Sequence, residues 1–152
     1  MPISSLTLED CYEAACLHQN AFFKGWSEKD FQELLQNYLT HGLKVEENHN
    51  LHGYIVWREM GEEAEILTLV VNPPYQRKGV GSLLLTVLSD LLLKKGITKL
   101  FLEVAEDNSK AKYFYIKNEF IFLSKRQNYY QRENDKYIPA LNFVKILLKK
   151  DS

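Results

Sequence analysis

Residues 66–93 read I-L-T-L-V-V-N-P-P-Y-Q-R-K-G-V-G-S-L-L-L-T-V-L-S-D-L-L-L, and this stretch decides the fold. Ile66 to Val71 is an apolar run, rich in aliphatic residues and long enough for a buried strand. Pro73 and Pro74 end it, because proline has no N–H to give to a ladder. An apolar-periodic helix then runs from near Gly79 to about Lys95. Lys94-Lys95-Gly96 closes it with cations in the last turn and a glycine stop. Between strand and helix lies Gln76-Arg77-Lys78-Gly79-Val80-Gly81. Its two glycines allow a tight bend and close approach to a ligand. The first amides of the helix have no partner within it and favour an anion. Arg77 and Lys78 add positive charge, which is the chemistry a pyrophosphate requires.

Gly79-x-Gly81 by itself fits any tight turn into a helix. No Lys-Ser/Thr follows, so the segment is not a Walker loop. The third glycine of a dinucleotide fingerprint is also missing. The whole pattern is more specific: strand, proline turn, Q-R-K-G-V-G and Leu-rich helix resemble the acyl-CoA motif of the GNAT N-acetyltransferases, Q/R-x-x-G-x-G/A. That resemblance implies an α/β fold built on a mixed sheet. Two central parallel strands would splay apart, and acetyl-CoA would enter between them.

The 152 residues suit a single domain spanning 1–152, with 45% hydrophobic residues. Nineteen basic and twenty acidic side chains give net −1, which argues against a general nucleic-acid surface. Cys11 and Cys16 sit five apart in a predicted helix and point to different faces. They are expected to be reduced thiols in the cytoplasm. No basic-then-apolar leader opens the chain and no run is long enough to span a membrane, so neither secretion nor a membrane partner is expected.

Taken in order, Ile3 to Leu8 is a short strand, and a helix runs from Leu8 to about Phe23 with Cys11, Ala14, Ala15 and His18 at helical spacing. Gly25 breaks it. Ser27 is a predicted N-cap with Asp30 at the third helical position. Trp26 and Phe31 have the spacing of a hydrophobic staple. This second helix is expected to continue through Tyr38 and end near His41-Gly42. Strands follow at Leu43 to Glu47 and Leu51 to Glu59, joined through Asn48-His49-Asn50. His49 and His52 lack any Cys or carboxylate cluster nearby, so no metal site is expected. Thr98 to Ala105 is the next strand, parallel to the central one through a right-handed crossover. Leu100, Leu102 and Val104 share one face of it, with Phe101 and Glu103 on the other. Asp107-Asn108-Ser109 caps a helix to about Asn118. Two antiparallel strands, Phe120 to Tyr129 and Tyr137 to Leu148, close the chain around the charged loop Gln131 to Lys136.

Glu103 is a carboxylate among apolar strand residues, a costly placement without a task or a partner. By itself it equally fits an ion-paired strand end. Asn108, Ala111 and Tyr115 then fall on one helical stripe that can face the end of that strand. An amide, a carboxylate and a phenol would converge beside the thioester end of a CoA bound at Gly79–Gly81. Tyr113, Phe114 and Tyr115 are consecutive, so aromaticity alone selects none of them.

The resemblance reaches further along the chain. A-F-F-K-G-W-S-E-K-D-F, L-E-V-A-E-D-N, F-Y-I-K-N-E-F and R-Q-N-Y-Y are similar to the branch of the GNAT family that acetylates ribosomal-protein N-termini. The likeness runs from about His18 to Tyr130. It implies Glu103 as general base, Tyr115 as general acid and Asn108 as a cofactor contact. It implies pantetheine contacts from the backbone of Leu69, Val70 and Val71. The pyrophosphate would lie on Gln76, Arg77, Lys78, Gly79, Val80, Gly81 and Ser82. Trp26, Tyr129 and Tyr130 are weaker expectations for walls of the peptide groove. Two departures stand out. Glu119 occupies the place of a family glycine before Phe120, and Asn118 is expected to supply the left-handed cap instead. Ile138-Pro139-Ala140-Leu141 lacks the acidic residue the family more often has before Ala-Leu. Acetylation of a protein N-terminus, acetylation of a free small amine, and a non-catalytic acyl-CoA- or partner-binding module all remain open on these residues.

Overall fold

Alternating apolar residues and turn chemistry build one sheet in the computed structural model, which describes residues 1–148. The strands are β1 (Ile3–Ser5), β2 (Thr40–Glu47), β3 (Asn50–Met60), β4 (Glu63–Val71), β5 (Lys99–Ala105), β6 (Ile121–Gln131) and β7 (Tyr137–Ile146). Their spatial order is β1-β2-β3-β4-β5-β7-β6. The helices are α1 (Cys11–Ala21), α2 (Glu28–Gln36), α3 (Val80–Lys94) and α4 (Ser109–Lys117). All strand pairs are antiparallel except β4 with β5. No helix among the described residues is long and apolar enough to cross a membrane.

Strand alternation divides the core between the two faces of the sheet. Ile55, Trp57, Ala64 and Ile66 face α3, where Leu84, Leu88 and Leu92 are buried. Tyr54, Val56 and Val70 face α1 and α2, against Cys11, Ala14, Ala15 and Phe31. Leu100, Leu102 and Val104 join the α3 side, as their spacing predicts. Cys11 is buried, Cys16 is exposed and both are free.

The parallel pair determines the architecture of the site. β4 and β5 pair only at Glu63–Lys99, Ala64–Leu100 and Glu65–Phe101. Beyond that point the strands part. Register against β3 passes from Val56–Thr68 to Trp57–Ile66, leaving Leu67 without an opposite residue. Such a bulge bends a strand and raises its twist. The strand ends Leu67–Val71 and Leu102–Ala105 therefore diverge, and the backbone groups between them are left for another partner.

Three boundaries differ from the sequence expectation. α2 stops at Gln36, because Asn37 leaves helical geometry and its Oδ1 accepts the Leu39 N–H at 2.9 Å. β2 consequently starts at Thr40. There Gly42 lies so close to Leu6 that a Cβ would stand 2.8 Å from the leucine Cβ. β1 is also shorter than Ile3 to Leu8, since Leu8–Asp10 forms a 3₁₀ turn leading into α1. The third difference concerns the end of α4. Asn118 keeps φ −91°, and Glu119 is the left-handed residue at φ 72°. Phe120 N–H donates to Tyr115 O and Glu119 N–H to Ile116 O, both at 3.0 Å. This is a Schellman motif with glutamate at the glycine position, and the Tyr115 and Phe120 rings supply its apolar contact at 5.3 Å. Asn118 contributes differently, donating from Nδ2 to Phe114 O at 2.8 Å.

Candidate active site

α3 begins as its sequence predicts, but its two glycines have separate tasks. Gly79 is the N-cap at φ 81°, with open space where a Cβ would be. Its hydrogen side chain serves the left-handed backbone. Arg77 also adopts positive φ, at 63°. Gly81 is buried, and a Cβ there would stand 3.0 Å from Phe114 Cζ of α4. Its missing side chain thus lets α4 pack on α3. No side chain caps the α3 amides, so the turn keeps free N–H donors beside Arg77 and Lys78. Gln76 reaches back, its Nε2 donating to Val71 O at 3.2 Å. This ties the turn to the end of β4. The first-turn amides, two cations and the side of β4 at Leu69–Val71 that β5 leaves uncovered suit a long ligand with an anionic head and an amide-bearing arm.

At the opposite strand end, Glu103 is half-buried, with Arg126 Nη2 3.3 Å from its carboxylate. Arg126 in turn lies 3.6 Å over the Tyr129 ring, a stacked cation. A bulge in β6 gathers these residues. Arg126 pairs with Ala140 and Tyr130 with Ile138, so residues 127–129 of β6 oppose Pro139 alone. The strand bulges there, three residues against one. Asn128 takes the left-handed turn at φ 54°. The bulge re-aims Tyr129 and Tyr130 relative to Arg126.

Tyr115 is 8% exposed and packs against Phe114 and Phe120. Burial pushes its phenol far above the usual range, and the neighbouring Tyr130 adds to the shift. Tyr130 is itself pushed up to about 12, first by burial and then by the charge of Glu103. Tyr130 therefore lies within electrostatic reach of both Tyr115 and Glu103. Both phenols hold their protons at neutral pH, while Glu103 offers an acceptor.

Asn108 is the α4 N-cap, its Oδ1 accepting Ala111 N–H at 3.1 Å. It also lines a cleft of about 620 Å³ with Ala21, Phe22, Phe23, Asp107 and Arg132. Arg132 donates to Asp107 through Nε at 2.9 Å and through Nη2, a bidentate pair that holds the Asp107 carboxyl below the usual range. Lys24 Nζ donates to Gln131 Oε1 at 2.9 Å, joining the α1–α2 connection to the end of β6. Sequence reasoning singled out none of Phe22, Phe23, Lys24, Arg126 or Arg132. The R-Q-N-Y-Y run was the one local pointer to Arg126.

Trp26 stands apart from this group. It stacks on His18 at 4.5 Å and meets Phe31 edge-on at 5.4 Å, completing the predicted staple. His52 stacks on Tyr75 at 3.6 Å. Among the described residues, no group of three His, Cys, Asp or Glu side chains could hold a metal.

The chain matches the profile of the acetyltransferase (GNAT) family over residues 11–120. It belongs to the GNAT acetyltransferase family. The GNAT assignment carries the activity with it, acetyl-CoA-dependent N-acetyl transfer. The [ribosomal protein bS18]-alanine N-acetyltransferase of Escherichia coli K12 is 34% identical over 129 residues, covering 84% of this chain and 86% of that one. The Haemophilus influenzae protein of the same name is 35% identical over 134 residues, 86% of each. The crystal structure of the E. coli ribosomal-protein-S18-alanine N-acetyltransferase superposes with a TM-score of 0.87 at 30% identity, covering 99% of this chain and 96% of that chain. The splayed pair and mixed sheet expected of a GNAT chain are present.

Proposed function

We propose that this GNAT enzyme transfers acetyl from acetyl-CoA to the α-amine of a protein N-terminus, with the alanine N-terminus of ribosomal protein S18 as the leading acceptor. The observation carrying this reading is the cluster of Glu103, Tyr130 and Tyr115 at the splayed end of β5. The acceptor follows from the similarity to the bS18-alanine N-acetyltransferases. Gln76 to Ser82 would hold the pyrophosphate, the backbone of Leu69 to Val71 the pantetheine arm, and Asn108 Nδ2 a cofactor amide. Tyr129 and Tyr130 would wall the peptide groove.

The amine nitrogen attacks the thioester carbonyl, and Glu103 accepts its proton directly or through one water. As the C–S bond breaks, Tyr115 gives its proton to the departing thiolate and CoA leaves as the thiol. An α-amine has pKa roughly 7.7–8.0 and a lysine roughly 10.4. At pH 7.5 about a third of the former is neutral and about a thousandth of the latter. One half-buried carboxylate is suited to the former task.

The test is a panel: peptides with free N-terminal Ala or Ser, the same peptides blocked but containing Lys, and free polyamines. CoA release and acetyl mass shift are measured for each. The free N-termini are expected to give the highest kcat/KM. A higher value on a blocked Lys peptide or a small amine overturns the acceptor assignment and leaves the GNAT chemistry in place.

A further inference from the structure

His18 is 5% exposed, and the chemistry above makes no use of it. Both its ring nitrogens are bonded. Trp26 N–H donates to Nδ1 at 2.9 Å, so Nδ1 carries no proton. Nε2 must then hold the proton, and it lies 3.1 Å from Thr68 Oγ1. The ring also touches three aromatics: Phe22 at 4.6 Å, Trp26 at 4.5 Å and Phe31 at 5.6 Å.

These partners belong to the two sides that acetyl transfer must bring together. Thr68 follows the Leu67 bulge and precedes Leu69–Val71, where β4 has left β5. Phe22 and Phe23 form a wall of the 620 Å³ cleft. The connection carrying them folds back hard onto α1. A Cβ on Gly25 would stand 2.6 Å from His18 O, and Lys24 is left-handed at φ 53°. Burial pushes the imidazole down to about 4 against the pull of Asp30, so the neutral donor–acceptor pattern holds across the working range.

We propose that His18 is a positioning residue that fixes the connection carrying Phe22 and Phe23 against Thr68, and so sets acceptor affinity. The proposal rests on the N-acetyl-transfer reading above and adds that the acceptor enters by this cleft.

Three variants test it. His18→Phe keeps an aromatic stack and removes both hydrogen bonds. His18→Gln can accept from Trp26 N–H and donate to Thr68. Thr68→Val removes one bond with little change of shape. Each is assayed with whichever acceptor in the panel the wild type uses best, so failure of the N-terminal reading shows in the wild type alone. Acetyl-CoA affinity is measured by calorimetry. Misplacing a substrate wall by about 1 Å can cost on the order of 100-fold. His18→Phe is expected to raise acceptor KM about 10- to 100-fold, with acetyl-CoA Kd within about threefold of wild type. His18→Gln should recover most of that loss, and Thr68→Val should fall between. Unchanged acceptor KM in folded His18→Phe overturns the proposal, as does an equal loss of acetyl-CoA affinity. Should His18→Phe not fold, unchanged acceptor KM in Thr68→Val overturns it instead.

Discussion

Acidification should destabilise this protein through one buried imidazole. His18 is neutral in the folded chain with a pKa of about 4. In the unfolded chain it returns to about 6.5. Below 6.5 the unfolded state therefore binds more protons, and stability falls as pH falls. The gap of about 2.5 units corresponds to about 3.4 kcal/mol once pH is below both values. By pH 4.5 about 2.5 kcal/mol of this is already lost. That is a large share of a typical stability of about 5–15 kcal/mol. Glu59 and Asp107 have lowered pKa values, through Lys95 and Trp57 for the first and Arg132 for the second. Their stabilising effect is lost at the acid end of the range, as pH falls through their folded values.

The assay is urea unfolding followed by circular dichroism at several pH values between 8 and 4.5, for wild type and His18→Gln. Each protein is compared with itself, so a constant packing loss in the variant cancels. Wild type should lose about 2.5 kcal/mol more than the variant across this range. Equal slopes would refute the reasoning, because they would mean His18 takes up its proton without unfolding.

Two other substitutions probe the site and its support. Tyr115→Phe keeps the ring packing against Phe114 and Phe120 and removes the hydroxyl; kcat should fall about 10²–10⁴-fold with acetyl-CoA affinity little changed, and a kcat within about threefold of wild type in a steady-state assay would reduce Tyr115 to a core aromatic. Glu119→Gly places glycine at φ 72° and should stabilise the fold by about 0.5–1 kcal/mol, read as a higher urea midpoint; a lower midpoint would mean the glutamate side chain contributes more than its backbone strain costs.

What the sequence discloses and what it hides divide along the range of the interaction. The Ser27–Asp30 capping box is reciprocal, with Asp30 N–H donating to Ser27 Oγ at 3.1 Å and Ser27 N–H to Asp30 Oδ2 at 2.9 Å. Four neighbouring residues determine it, so it can be read locally. The same holds for the α3 stop, where Gly96 takes φ 79°, and for the alternation in β5. Gly81 is different. Its spacing from Gly79 matches a ligand-binding pattern, and nothing local shows that Phe114, 33 positions later, packs where its side chain would be. The end of α4 is equally non-local. Asn tolerates left-handed geometry better than Glu in isolation, but Phe120 must reach the core beside Tyr115, and that contact puts the positive φ on Glu119.

Pro139 carries this argument into the site. In sequence it is an interruption in a strand and a departure from the family pattern. On the neighbouring strand three residues bulge opposite it, while its own carbonyl accepts from Glu106 N–H on the other side. The bulge delivers Arg126 to Glu103 and Tyr130 to the neighbourhood of Tyr115. The acetyl-CoA side of the enzyme is legible because it is one contiguous strand, turn and helix. The proposed acceptor side draws on α1, β5, α4, β6 and β7, and its geometry is determined by residues that give no local sign of that task.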